Sequence, residues 1–148
     1  MRLEPLYRAR FEYPEDWGVE IAGPDGVESH HYFVAEGRCE GRISGRFHGA
    51  NHPRRRTDQT FVPDFQGVIE TVDGAALIFD MRGYGRAYPE GRRQVVGTVT
   101  HVSDDERYGW LNDVVCVLEG EVRVRPGEAR GVELVLDVVE LVWEPIDA

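Results

Sequence analysis

With 148 residues, 41% hydrophobic and 10% aromatic content, the chain is long enough to bury its own core, and its composition excludes a disordered or disulfide-dependent polypeptide. A net charge of −10 argues against nucleic acid as a partner, because phosphate binding calls for a basic face. No apolar run approaches the roughly 20 residues of a membrane span and no signal-like segment opens the chain, so the expectation is a cytoplasmic protein without membrane contact.

Two-residue alternation dominates the pattern, and long helical periodicity is missing. Residues 6–13 read as a strand that Pro14 ends, and the Gly/Pro/Asp-rich stretch 15–26 reads as a long loop. Residues 31–47 form a strand pair or one bent strand, with Gly37, Gly41 and Gly45 suited to bulges or tight corners. The polar stretch 51–63 is expected to be a loop. Strands at 66–71 and 75–82 follow, joined at Asp73-Gly74, a strong hairpin signal because the turn needs positive φ. A Gly/Tyr/Arg/Pro loop then leads to a strand at 95–102. Ser103 and the acidic residues after it predict one helical turn over 103–108.

Strands at 114–118 and 121–125, a turn at Pro126-Gly127 and a long strand at 132–143 complete the pattern. The alternation slips at Val138-Val139, which predicts a bulge or burial on both faces. The expected fold is therefore all-β: one domain over 1–148, an antiparallel β-barrel of about eight strands with hairpin connections and at most one or two short helical turns. The long closing strand offers a pairing edge, so a homodimer is expected. Cys39 and Cys116 lack any paired spacing and are read as small core residues.

All 17 basic residues are Arg, which excludes lysine Schiff-base chemistry. Ten of the 17 fall within 38–93, between two acidic flanks, and this locates the recognition of an anionic or carbonyl-bearing small molecule. The loop around Asn51, His52, Arg54 and Arg56 concentrates polar groups at a strand end, where guanidinium forks match paired oxygens. The same residues also suit a solvated loop that offsets the acidic flanks. His52 and His101 are candidates for acid–base work because imidazole titrates near neutrality. Asp64 and Asp80 lie in or beside strands, where an inward carboxylate serves as a general base.

Tyr84, bracketed by Arg82 and Arg86, supplies an oxyanion-directed hydroxyl. Trp110 serves as a cavity wall or as a plug, and Asn112 as a donor or as a turn residue. His48 and His52 are four apart, but Gly49 and Pro53 oppose the helix that would align them, so no metal is expected. No cofactor fingerprint is present; Gly83-Tyr84-Gly85-Arg86-Ala87-Tyr88 only faintly echoes a dinucleotide motif, with no helix after it.

Several motifs occur together in order: Gly41-Arg42-Ile43-Ser44-Gly45, Arg56-Thr57-Asp58, Thr71-Val72-Asp73-Gly74-Ala75, Gly83, and Tyr108-Gly109-Trp110-Leu111-Asn112. Over residues 31–125 the chain resembles the uncharacterised DUF3237 (UPF0311) family. The resemblance implies a β-barrel of about this length and little about activity. The segment 50–56 and Gln59 depart from the pattern expected of the family, which implies a specialised subgroup. Two functional readings remain open. One is a cofactor-independent isomerase, cyclase, hydratase or lyase in which His52, His101 or Asp64 moves a proton, while Arg54, Arg56, Arg82 or Tyr84 stabilises an oxyanion. The other is a non-catalytic ligand-binding or homo-oligomeric assembly protein.

Overall fold

The computed structural model describes residues 1–87, 93–125, 127 and 131–147; Tyr88 and Pro126, both invoked above, lie outside them. The strands are β1 (Arg2–Gly23), β2 (Gly26–Gly41), β3 (Gly45–Asn51), β4 (Arg54–Arg55), β5 (Phe61–Val62), β6 (Asp64–Thr71), β7 (Ala76–Arg86), β8 (Arg93–Val102), β9 (Val115–Val124) and β10 (Val132–Val142). Among the described residues a single 3-10 turn covers Gly109–Asp113.

Strand order overturns the expected eight-stranded barrel with hairpin connections. The described residues form one ten-stranded sheet in the order β1-β10-β9-β8-β7-β5-β4-β2-β3-β6, with additional β1–β2 and β7–β6 pairings, all antiparallel. The excursion between β3 and its partner β6 is not a plain loop. It contributes β4, paired to β2, and β5, paired to β4 and β7.

Pro14 does not end β1. The β1–β2 register shifts between Glu12 and Glu15, and the proline sits in that interruption, where its missing N–H costs no ladder bond. Beyond it, residues 15–23 pair with 26–34 as a hairpin arm turned at Pro24-Asp25, where a loop was expected. The slip at Val138-Val139 is absorbed by the neighbouring strand. β10 stays in register with β9 there, while β1 shifts between Pro5 and Tyr7 around the buried Leu6. β10 is paired on both sides, so it is not the open edge expected of it.

The Asp73-Gly74 hairpin forms as expected, with Gly74 at φ 91° and the Ala75 N–H donating to Thr71 Oγ1 over 2.8 Å. The helical turn falls at 109–113 and not at 103–108. Ser103 Oγ and the Asp105 carboxylate accept the N–H groups of Asp105 and Arg107, which closes short side-chain turns in competition with a helix. The sheet also requires close strand approach. A Cβ on Gly37 would lie 2.1 Å from the Arg10 carbonyl oxygen, so this corner admits only glycine.

Inside the sheet, Phe47 stacks on Phe79 at 4.6 Å, and Phe65 meets Phe79 edge-on at 5.2 Å. Tyr7 and Phe11 extend this aromatic layer, and Ile43 and Leu111 are buried with it. Cys39 and Cys116 are free, buried thiols in the same core, and burial pushes the pKa of each up to about 11. Among the described residues no helix is long and apolar enough to cross a membrane.

Candidate functional site

The aromatic layer leaves one end of the sheet hollow. A cavity of about 310 Å³ opens there, where the middle parts of β1 and β2, the end of β3 and β5 face β7 to β10. Phe11, Phe33, Phe61, Met81, Val122 and Leu134 make its apolar wall, while Tyr13, Asp16, Asn51, Arg86 and Arg93 supply polar groups. A concave apolar hollow with a few convergent polar groups is the usual form of a small-molecule site.

Tyr13 and Asn51 form the built part of this cavity. Asn51 Oδ1 accepts the Asp64 N–H over 3.2 Å, which fixes the amide so that its Nδ2 donates to Tyr13 Oη over 3.1 Å. The Tyr13 ring stacks on Phe33 at 4.4 Å. Burial pushes the Tyr13 pKa up to about 12, with the Asn51 hydrogen bond a smaller opposing influence, so the phenol keeps its proton at neutral pH. Its oxygen is occupied as an acceptor and its own O–H donates to no described residue. Arg86 and Arg93, at the rim, form no ion pair with any described residue, whereas Arg82 and Arg107 are each paired to two carboxylates.

Of the residues singled out in the sequence, Asn51 and Arg86 reach this cavity. His52, Arg54, Asp64, Arg82 and Tyr84 gather elsewhere, along a groove of about 690 Å³ on the outer face of the sheet that also includes His30. Two-residue periodicity explains the split: Asn51 and Phe65 point inward, which turns their neighbours His52 and Asp64 outward. Asp64 is not a desolvated base. It pairs with Arg82 at 3.2 Å and accepts from Gln66 at 2.7 Å, and Asp80 joins the same surface cluster. Arg56 is tied to Asp58 and lies over the Tyr84 ring at 5.8 Å.

His101 lines neither hollow. It is buried in the core with its Nε2 2.8 Å from Tyr7 Oη, and burial lowers its pKa to about 4, so the ring is neutral near pH 7. Trp110 and Asn112 belong to the opposite end of the sheet. Arg42 caps the Trp110 ring at 4.9 Å, while Asn112 accepts from the Ser103 N–H and donates to the Ser103 carbonyl, closing the 103–112 loop. Asp73 accepts the Thr71 and Tyr108 hydroxyls and pairs with Arg107 at 3.3 Å. Those hydrogen bonds hold its carboxyl below the usual range. Among the described residues no group of three His, Cys, Asp or Glu side chains converges as a metal site would require.

Sequence reasoning missed Tyr13, Asp16, Phe33 and Arg93. Tyr13 and Asp16 lie beside and in the supposed 15–26 loop, while Phe33 falls in the strand expected over 31–47. The local signal for Tyr13 and Asp16 was the alternation of Trp17, Val19 and Ile21, which extends the strand past Pro14.

Among solved structures, a protein of unknown function from Clostridium acetobutylicum superposes with a TM-score of 0.77 at 17% identity, covering 96% of this chain and 100% of that one. A beta-barrel like protein from Acinetobacter baumannii AYE gives 0.74 at 20% identity, with 94% of each chain covered. An enzyme from Penicillium herquei gives 0.63 at 22% identity, again with 94% of each covered. These likenesses establish the fold alone. No curated protein matches. Residues 1–141 match the family described as "Protein of unknown function (DUF3237)", a wider span than the motifs marked, and the chain belongs to that family.

Proposed function

We propose that the end cavity binds a small, largely apolar molecule bearing a carbonyl or carboxylate oxygen, and that the protein performs acid–base chemistry on it, of isomerase, cyclase, hydratase or lyase type. The observation that carries this reading is the Tyr13–Asn51 pair: a protonated phenol in an apolar hollow, its oxygen anchored and its proton given to no described residue. Such a donor stabilises an oxygen on which negative charge develops. Arg86 and Arg93 attract an anionic group to the rim, and Asp16 is the carboxylate at the same mouth that accepts a proton. The enzyme from Penicillium herquei supports the view that this fold can host catalysis.

Saturation-transfer NMR tests the binding step, using a panel of cyclic and aromatic carboxylates and enones beside the matching hydrocarbons. Oxygenated members are expected to bind, with affinity falling roughly 10-fold in Tyr13→Phe. Equal binding of the hydrocarbons, or affinity unchanged by Tyr13→Phe, refutes the assignment. Proton transfer is read as solvent deuterium entering the carbon beside the bound carbonyl, lost in Asp16→Asn. A second reading, binding without chemistry, is favoured by the placement of His52, Asp64 and Tyr84 outside this cavity. Ligand binding with no deuterium exchange decides for it.

A further inference from the structure

Three consecutive arginines, Arg54 to Arg56, follow the cavity-lining Pro53. Two of them have carboxylates: Arg54 lies 3.7 Å from Glu28, and Arg56 lies 2.8 Å from Asp58. Arg55 is half-buried and pairs with no carboxylate among the described residues, in a chain with 27 acidic residues against 17 basic ones. Its Nε is shut off from solvent without a hydrogen-bond partner, and so is the Oγ of Ser29, a residue 1% exposed. The two residues are partners across β2 and β4, so their side chains stand together on one face. Buried donors without acceptors are destabilising, and here two of them adjoin.

The same rung continues the wall of the end cavity. Phe61, which lines the cavity, is the β5 partner of Arg55, whose guanidinium carbon lies 5.8 Å from the ring centroid. Along β2, His31 stacks on the lining residue Phe33 at 5.4 Å, and Ser29 is next on that face. On β1 the rung ends at Glu20, two strand spacings or roughly 10 Å from Arg55. That carboxylate is exposed and forms no ion pair with Arg55.

We propose that Ser29 and Arg55 form an oxyanion subsite, which takes the carboxylate of the molecule whose apolar body fills the end cavity. This rests on the cavity being a ligand site. Both orphan atoms can donate, and the guanidinium adds a positive charge that no described carboxylate offsets, so the complement is an anion with two oxygens. Arg86 and Arg93 draw such a group to the mouth, whereas Arg55 has a buried N–H beside a second buried donor with which to hold it. Tyr13 is thereby left for a second oxygen of the same molecule, and the substrate class narrows to oxygenated carboxylic acids.

Side-chain N–H NMR on the nitrogen-labelled full chain tests this, with the Arg55 Nε–H signal identified by its loss in Arg55→Met. The probes are phenylalkanoates with two to six methylenes, their methyl esters, and inorganic phosphate. The best acid is expected to move the Arg55 signal together with the Phe33 and Phe61 amides, and to bind at least about 10-fold more tightly than its ester. Arg55→Met, which keeps an apolar stem over Phe61, is expected to abolish that preference, whereas Tyr13→Phe leaves it intact. Acid and ester moving the cavity amides alike, with the Arg55 signal still, overturns the subsite and spares the cavity. An acid that moves the Arg86 or Arg93 signals and not that of Arg55 does the same. Cavity amides unmoved by every probe sink both readings, and a response of Arg55 to phosphate alone would then mark a free-anion site. An Arg55 signal displaced by Glu20→Gln without any probe reveals an internal partner and also overturns the proposal.

Discussion

His101→Gln isolates what one buried imidazole does to acid stability. The ring meets Tyr7 edge-on at 5.6 Å, with Nε2 2.8 Å from the phenol oxygen and no hydrogen-bond partner at Nδ1 among the described residues. Burial holds its pKa at about 4, against 6.5 for an unperturbed histidine. Between those values the unfolded chain takes up a proton that the native chain refuses. The stability supplied by this difference is complete above pH 6.5 and is lost as the pH falls toward 4. At ~1.4 kcal/mol for each tenfold difference in proton affinity, the gap amounts to about 3 kcal/mol. Glutamine keeps hydrogen-bonding capacity toward Tyr7 and does not titrate. Urea unfolding followed by tryptophan fluorescence, at about pH 7, 5.5 and 4, is expected to show the wild type losing about 3 kcal/mol more than the variant over that range. Taking the difference between the two proteins cancels the carboxylates that titrate in both. Parallel stability–pH curves would refute the reasoning, because they would mean the imidazole is as easily protonated folded as unfolded.

Phe79→Ala removes the ring shared by Phe47 and Phe65 and is expected to cost about 3–5 kcal/mol, read as a fall in Tm of about 10 °C or more. Gly37→Ala places a methyl 2.1 Å from one backbone atom and 2.5 Å from another, neither of which can yield as a side chain would. It should cost at least about 3 kcal/mol or abolish soluble expression. A Tm within a degree or two of wild type would show that β1 and β2 do not approach so closely.

Features written in short stretches of chain were legible. Asp73-Gly74 announces its turn because the left-handed conformation is a property of the dipeptide, and the two-residue alternation of residues 6–13 and 132–143 announces strands. Features set by distant neighbours were not. Pro14 reads locally as a stop, yet β2 pairs across it because a bulge accommodates the ring. The partnership of Tyr13 with Asn51 spans 38 residues and exists only because β1, β2 and β3 lie side by side. Choosing between Asn51 and His52 required the phase of β3, which the sequence does not state: one residue of shift exchanges the cavity for the outer groove. His101 stood near a strand end and looked available, but its inward phase puts it under Tyr7.

Three of the five motifs that carry the resemblance, at 41–45, 71–75 and 108–112, say little about ligands, and their placement explains why. Thr71, Asp73 and Gly74 form a turn clasped by Tyr108 and Arg107, and Asn112 closes the loop that carries them. Leu111 and Ile43 are buried beside that clasp, so these residues close one end of the sheet. The cavity lies at the other end, and its polar groups, Tyr13, Asp16, Arg86 and Arg93, fall outside every motif that carries the resemblance. One end of the sheet thus has its side chains committed to internal hydrogen bonds, while at the other a phenol proton and two guanidinium groups have no partner among the described residues. Substitution at the clasp is expected to perturb the fold, whereas substitution at the open end is expected to alter the cavity alone. The clasp thus serves the fold, and the residues around Tyr13 are the ones to vary when the proposed ligand site is tested.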